Sequence, residues 1–254
     1  MPSLPEQLSP LSESQLRHRL ASLGCPSDPD GERSAYSSGG RLAKKTYLLD
    51  RLASCYKEGS AGRVVRPIVA GVSLPADRTS AILEALRFAD FGRKGGGKSR
   101  NVEAQKYTVL GRAASDAPHK VSAANQHLWS LALSLLRDFY PSSSSSSSSF
   151  TCTSLAVTKN FVGSPHLDMK DTSYQFAASF GDLNDGDGGE LCVESESGSE
   201  IYIVSTLNKI VKVDGRFVHW VKSYDPTRER FSLIYFCVDN LTRTERDKEV
   251  YDYE

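Results

Sequence analysis

Between Phe150 and Val238 the chain is broken into short runs rich in Val, Ile, Tyr and Phe: TSLAVTKNFV, SYQFAASFGD, ELCVES, EIYIV, KIVKVDG, RFVHWV and RFSLIYFCV. Gly, Asp, Asn and Ser separate them every few residues. Runs this short are too brief for helices of ordinary length, and several alternate apolar with polar side chains, so each reads as a strand with one buried face. Strands that follow one another through short turns pair antiparallel. A set of this size predicts an antiparallel β-barrel or sandwich.

Upstream the pattern changes. Over roughly 61–140, VVRPIVAGVSL reads as a strand, PADRTSAILEALRFADFG as a helix and KYTVLG as a further strand. A long helix follows, with Ser122 at its N-cap and Leu128, Leu131, Leu135, Leu136 and Phe139 along its apolar stripe; Pro141 ends it. GRKGGGKSR carries glycines and a Lys-Ser pair but lacks the spacing of a phosphate loop, so it reads as a flexible basic loop. The eight serines Ser142–Ser149 form a low-complexity connector. Residues 1–60 read as two amphipathic helices, the first carrying Leu11, Leu16, Leu20 and Leu23 and the second Leu42, Leu48, Leu49, Leu52 and Tyr56. The division is thus a helical segment, 1–60, and a domain, 61–254, interrupted by the serine connector. As a whole this is an α+β chain.

Charge narrows the function. Lys and Arg number 31 and so do Asp and Glu, but residues 61–140 carry 12 basic and 6 acidic groups, whereas 141–254 carry 11 and 18. A uniformly basic nucleic-acid binder is excluded and a bipolar one is not. No apolar run reaches the 18 or so residues of a membrane span, and the N-terminus lacks the basic and apolar stretches of a secretory signal. The five cysteines are scattered and never paired as CxxC, which argues against a disulfide scaffold or zinc ribbon. The expectation is a reducing compartment, nucleus or cytoplasm, without a membrane partner.

The chemistry-bearing residues lie in the β-rich third. His166 and Asp168 stand two apart, His219 follows 53 residues after His166, Arg230 lies on the next run and Ser232 two residues beyond it. Two imidazoles and one carboxylate on one face of a metal leave positions open for an oxo-acid and O₂, the facial arrangement of non-haem Fe(II) oxygenases. A zinc hydrolase could use the same ligands but has no need of Arg230. A guanidinium on a strand can grip the far carboxylate of a dicarboxylate held by iron, and the Ser232 hydroxyl can add a hydrogen bond.

These residues resemble the 2-oxoglutarate/Fe(II)-dependent dioxygenase superfamily over about Thr151 to Val238. The resemblance implies a double-stranded β-helix (jelly-roll) core with supporting helices. It implies His166, Asp168 and His219 as the catalytic iron ligands, Arg230 and Ser232 as the 2-oxoglutarate site, and Gly188-Gly189-Glu190-Leu191 as a turn common between the first ligand pair and the distal His. It also implies the use of O₂, with ascorbate as an accessory reductant, to hydroxylate a C–H bond. The order Asn160, His166-x-Asp168-x-x-Asp171, GGEL and His219 is similar to the TET/JBP branch, which implies oxidation of a methylated nucleobase in DNA or RNA, with Asn160 and Asp171 lining the pocket. Protein side-chain (prolyl-type) hydroxylation, small-molecule oxidation and an inactive binding module remain the alternatives. LSESQLRHRLASLG with GGRLAKKTYLLDRL resembles the SAP motif, a helical nucleic-acid-binding module; two helices that merely support the domain are the other reading.

Other residues read as structural. Trp220 should face away from His219 and pack. His119 and His127 have no carboxylate pattern near them, and Asp182, Asp185 and Asp187 fit a solvated turn better than a calcium loop. Asp171 is either a partner that orients a metal ligand or a surface acid.

Overall fold

The computed structural model describes residues 16, 45–49, 52, 64–92, 102–111, 121–140, 150, 152–163, 168, 171, 173–195 and 200–237. Over these residues the chain is α+β. The strands are β1 Val64–Ile68, β2 Val72–Ser73, β3 Val102–Leu110, β4 Ser154–Gly163, β5 Gln175–Gly181, β6 Leu191–Glu194, β7 Glu200–Val204, β8 Lys209–Val213, β9 His219–Val221 and β10 Arg230–Phe236. The helices α1 Ala76–Arg87 and α2 Gln126–Phe139 precede β4. Each of the runs after Phe150 is a strand.

Two sheets result, one in the order β1-β7-β6-β9 and one in the order β2-β8-β5-β10-β4-β3. Every pairing is antiparallel except β1 with β7. In the larger sheet, β10 lies between β5 and β4, with Leu233 opposite both Ala178 and Val157. Period-two alternation gives this sheet two unlike faces. On one, Phe231, Leu233 and Tyr235 of β10 join Phe176 and Phe180 of β5 and Leu155 and Val157 of β4. These pack with Ile82 and Leu86 of α1 and Leu128, Ala132 and Leu135 of α2 as one apolar cluster. The Tyr235 hydroxyl donates to the Ala132 carbonyl at 3.0 Å, so its polar tip is satisfied inside that cluster. On the other face, Ala177, Val211 and Val213 meet Val204 with Leu191 and Tyr202 packed against them, which brings the smaller sheet over the larger. Burial pushes the Cys152 and Cys192 thiols up to about 12, consistent with small packed side chains. No helix among the described residues is long and apolar enough to cross a membrane.

Three local readings change. The stretch VVRPIVAGVSL is two strands in different sheets, because Gly71 turns the chain at φ +86°. A Cβ there would come within 2.6 Å of Val211 Cγ2, so the backbone passes where only glycine fits. Pro67 is tolerated because β1 is an edge strand with one neighbour. Strand β3 extends farther toward its N-terminus than KYTVLG suggests, since β4 supplies a partner along it as far as Gly163. Finally, Ser122 precedes a 3₁₀ turn, Ala123–Asn125, and α2 starts only at Gln126. Asn125 at that junction bonds both backbone groups of Asp90, at 2.9 and 2.8 Å, and so ties the start of α2 to the segment after α1.

Leu16, Leu48, Leu49 and Leu52 are buried. Lys45, Thr46 and Tyr47 are helical with Leu48 and Leu49; the rest of the two N-terminal segments, the serine connector and the basic loop beyond Gly92 lie outside the described residues, so the SAP-like reading falls outside them too.

Leu233 is fully buried between α1, α2 and both neighbouring strands. Leu233→Ala is expected to destabilise the chain by about 2–5 kcal/mol, read from the midpoint of urea unfolding.

Candidate functional site

The face of the larger sheet that looks toward the smaller one is polar where it is not occupied by the Ala177 cluster. Thr158 of β4, Gln175 and Ser179 of β5, and Arg230 and Ser232 of β10 are all buried. They occupy the positions that alternate with the apolar residues facing the helices, and Ser232 stands in register with both Thr158 and Ser179. Two groups of functional side chains sit on or beside this interior.

The first group joins Asp168 to β9. His219 opens β9 and is buried, while Trp220 is half-exposed on the opposite side, as alternation requires. His219 Nδ1 lies 3.0 Å from the Phe217 carbonyl, so in the neutral ring Nδ1 carries the proton and Nε2 presents its lone pair. That Nε2 faces Asp168 Oδ2 at 3.6 Å. A lone pair and a carboxylate oxygen aimed at each other fit a shared cation, and an imidazole whose other nitrogen is held by a carbonyl is the usual form of a metal-bound histidine. His166 lies outside the described residues, and among these no three His, Cys, Asp or Glu side chains gather around one point.

Asp168 has a second acid, Asp171, beside it, both partly exposed. The Asp168 amide donates to the Gly215 carbonyl at 2.7 Å and the Asp171 amide to the Asp168 carbonyl at 3.3 Å, which fold this loop onto the turn after β8. Gln175 Nε2 donates to Asp168 Oδ2 at 2.9 Å and also to Asp171 Oδ2. Burial, and then the charge of Asp168, raise the Asp171 carboxyl well above the ordinary range. Asp171 is therefore a partly buried neighbour of Asp168, joined to it through Gln175. In the adjoining turn Asp214 is paired to Arg216, whose Nε and Nη2 donate at 2.8 and 2.6 Å.

The second group surrounds Arg230. Its Nη1 donates to Ser232 Oγ at 2.7 Å and its Nη2 to the Gly189 carbonyl at 2.8 Å. Both partners are neutral. Arg230 Nε is buried without a hydrogen-bond partner, as is the Thr158 hydroxyl. Burial pulls the guanidinium down to about 10, partly offset by Tyr224 and Glu190. A buried cation with neutral partners and spare donors fits a carboxylate ligand. A small cleft opens beside it, with Ser179, Thr206, Gly189 and Glu190 in its walls.

Local sequence explains how Arg230 is held. Gly188 and Gly189 lie at φ +89° and +80°. A Cβ on Gly189 would sit 3.0 Å from Arg230 Nε, and one on Gly188 would sit 2.0 Å from the Ser223 carbonyl. Asn160 also has positive φ, +49°; its Oδ1 accepts the Arg230 amide at 2.9 Å and its Nδ2 donates to Gln105 at 3.2 Å. Asn160 thus replaces a ladder bond at the end of the β4–β10 pairing. One residue earlier, Glu229 binds both Arg87 and Lys159, at 2.8 and 3.2 Å, tying α1 and β4 to the start of β10.

The two groups are separated along β9. Gly189, which holds Arg230, donates its own amide to the carbonyl of Lys222, one residue past β9 and three past His219.

Gln175, Gly215 and Thr158 were not legible as site residues in the sequence. The signal that existed was in QFAASF, where Gln175 and Ser179 alternate with Phe176 and Phe180, the two alanines between them carrying none. The acidic turn is held locally: Asp187 Oδ2 accepts the Asn184 amide at 2.9 Å and Asp182 Oδ1 the Glu229 amide at 2.7 Å.

No protein-family model matches the chain. Comparison with curated proteins likewise finds no match. Among solved structures, it is similar to a 2OG-Fe(II) oxygenase family oxidoreductase from Burkholderia pseudomallei, at 19% identity and TM-score 0.46 over 66% of this chain and 84% of that one. NgTET1 in complex with 5mC DNA matches at 17% identity and TM-score 0.40, over 65% and 69%. A prolyl hydroxylase from Trichoplax adhaerens, in complex with a hypoxia inducible factor peptide fragment, matches at 15% and 0.40, over 66% and 82%. These overlaps are partial, and the chemistry of the site is read from its side chains.

Gly188→Ala forces a Cβ into the Ser223 carbonyl at a positive φ. The expected result is a loss of more than about 1 kcal/mol in stability, seen as a lower Tm than that of Gly186→Ala, where a Cβ meets nothing within 4 Å.

Proposed function

We propose that this chain is an Fe(II)- and 2-oxoglutarate-dependent dioxygenase on a double-stranded β-helix, hydroxylating a C–H bond of a methylated nucleobase in DNA or RNA. The observation that supports the class is the polar interior with Asp168 and His219 at one end and a buried Arg230 with spare donors at the other. In this reading His166, Asp168 and His219 hold the metal, and Arg230 and Ser232 hold the distal carboxylate of 2-oxoglutarate. When bound, iron and the oxo-acid supply the O₂-dependent oxidation of the C–H bond. The protein residues bind and orient. His219 is kept in one tautomer by the Phe217 carbonyl. The Arg230 side chain is preset by Ser232 and Gly189 before any ligand arrives, so little rotamer freedom is lost on binding. The Phe231, Leu233 and Tyr235 side of β10 closes the opposite face of the sheet against water.

The nucleobase reading rests on the order Asn160, His166-x-Asp168-x-x-Asp171, GGEL and His219, with Asn160 and Asp171 near the substrate. It rests also on charge: residues 61–140 carry an excess of six positive charges and 141–254 an excess of seven negative, so a polyanion would approach through the middle segment. In this reading residues 1–60, which resemble the SAP motif, would add contacts to the nucleic acid.

The test is succinate formation with Fe(II), 2-oxoglutarate, ascorbate and O₂ against methylated DNA, methylated RNA and peptide pools. Turnover should be stimulated by nucleic acid and abolished in His219→Ala. Arg230→Met, by losing charge-assisted bonds, should raise the KM for 2-oxoglutarate on the order of 10- to 100-fold. Absence of succinate under every condition, or activity with zinc in place of iron, overturns the class. Stimulation by peptides alone overturns the substrate. Separately, DNA affinity of the full chain should fall steeply as salt rises and drop further when residues 1–60 are removed.

A further inference from the structure

We infer that Gln175 is a positioning residue of the proposed metal centre, holding the Asp168 carboxylate in the orientation that faces His219; this rests on the proposed function. Asp168 lies outside the regular strands, in the segment between β4 and β5. A carboxylate carried on such a segment can rotate, whereas a metal ligand must present an oxygen at a set place. Gln175 supplies what the loop lacks. It is 4% exposed, opens β5, and is paired through the backbone to Val213 of β8, so its Cα is fixed by the larger sheet. Its Nε2 donates to Asp168 Oδ2 at 2.9 Å, the same oxygen that lies 3.6 Å from His219 Nε2.

The amide itself is fixed as well. Its NH₂ carries two hydrogens, and Asp168 and Asp171 each accept one. The flipped amide would set its carbonyl oxygen against the Asp168 carboxylate, so Asp168 favours this orientation. A carboxamide is also the right donor for this place. It satisfies an oxygen of Asp168 without neutralising the charge that a metal needs, which Lys or Arg would do. The cation in the same region, Arg216, is held on Asp214 at 2.6 Å.

Gly215 belongs to the same device. A Cβ there would lie 2.6 Å from Gln175 Nε2 and 2.9 Å from Asp168 Oδ2, so a larger residue in the turn after β8 would displace the ends of both side chains and disturb the Gln175–Asp168 bond. The Gly215 carbonyl meanwhile receives the Asp168 amide at 2.7 Å. Strand β5 and the turn after β8 therefore fix both the backbone and the carboxylate of Asp168.

The experiment is titration of the full chain with Co(II), following both affinity and the visible absorption of the bound ion, which reports ligand geometry without any turnover. Gln175→Met keeps length and volume but has no donor. It should weaken Co(II) binding by about 10- to 100-fold and alter the spectrum. Gly215→Ala, which removes no polar group, should shift both in the same direction, so the result does not depend on one variant folding. Binding within about threefold of the unaltered chain, with an unchanged spectrum, in either folded variant overturns the inference. A failure of the unaltered chain to bind Co(II) at all overturns the metal reading, and this inference with it.

Discussion

The alternation of β10 between a helix face and an interior face is the constraint from which the rest of the molecule follows. Phe231, Leu233 and Tyr235 have one place to go, the cluster built with α1 and α2. Once they are there, Arg230 and Ser232 must point the other way, because successive side chains of a strand leave on opposite sides. A slip of one residue in the pairing with β5 would put the guanidinium among Phe176, Phe180 and Leu135 and turn Leu233 inward. The apolar packing therefore enforces the polar interior, and the register of Ser232 with Thr158 and Ser179 is a consequence of it.

That interior is a destabilising element held in place by its surroundings. A buried guanidinium nitrogen and a buried threonine hydroxyl without partners each cost about 1–3 kcal/mol relative to a satisfied or apolar site. Two mainly antiparallel sheets with nothing to bind would be more stable with alanine and valine there, as the Ala177, Val211 and Val213 corner illustrates. Supporting bonds lie one step back: Asn160 on the Arg230 amide, Glu229 across to Arg87 and Lys159, and Gln175 between two acids. Each comes from a strand or its immediate end, so the groups they hold are placed by the sheet and not by loop chance.

Much of this was legible in the chain and the reasons are local. Runs such as RFSLIYF and SYQFAASF are short, apolar-rich and bounded by turn residues, so strand identity could be read. Arg230, Ser232 and His219 stood out because polar groups in such runs are costly unless used. Boundaries were less legible where a neighbour decides them. Gly71 divides VVRPIVAGVSL between two sheets because of the approach of Val211, and Asn125, not Ser122, adjoins α2 because Asp90 offers it two backbone partners. Neither neighbour is near in sequence. Gln175 was hidden for the same reason, since its role exists only where Asp168, Asp171 and Gly215 converge.

What the sequence by itself determined was the alternation: which residues form strands, which face of β4, β5 and β10 is apolar, and which ionisable residues interrupt that order. These follow from the two-residue period of a strand and the cost of burying charge, both of which act on neighbours in the chain. What only the tertiary structure decided was the company those residues keep. It set His219 Nε2 against Asp168, tied Arg230 through Gly189 to the end of the same β9 segment, and ran the Gln175 amide past a glycine to reach two acids. The physical reason is that such contacts are fixed by sheet packing between segments dozens of residues apart, where hydrogen-bond geometry allows tenths of an ångström and a local pattern carries no distance at all.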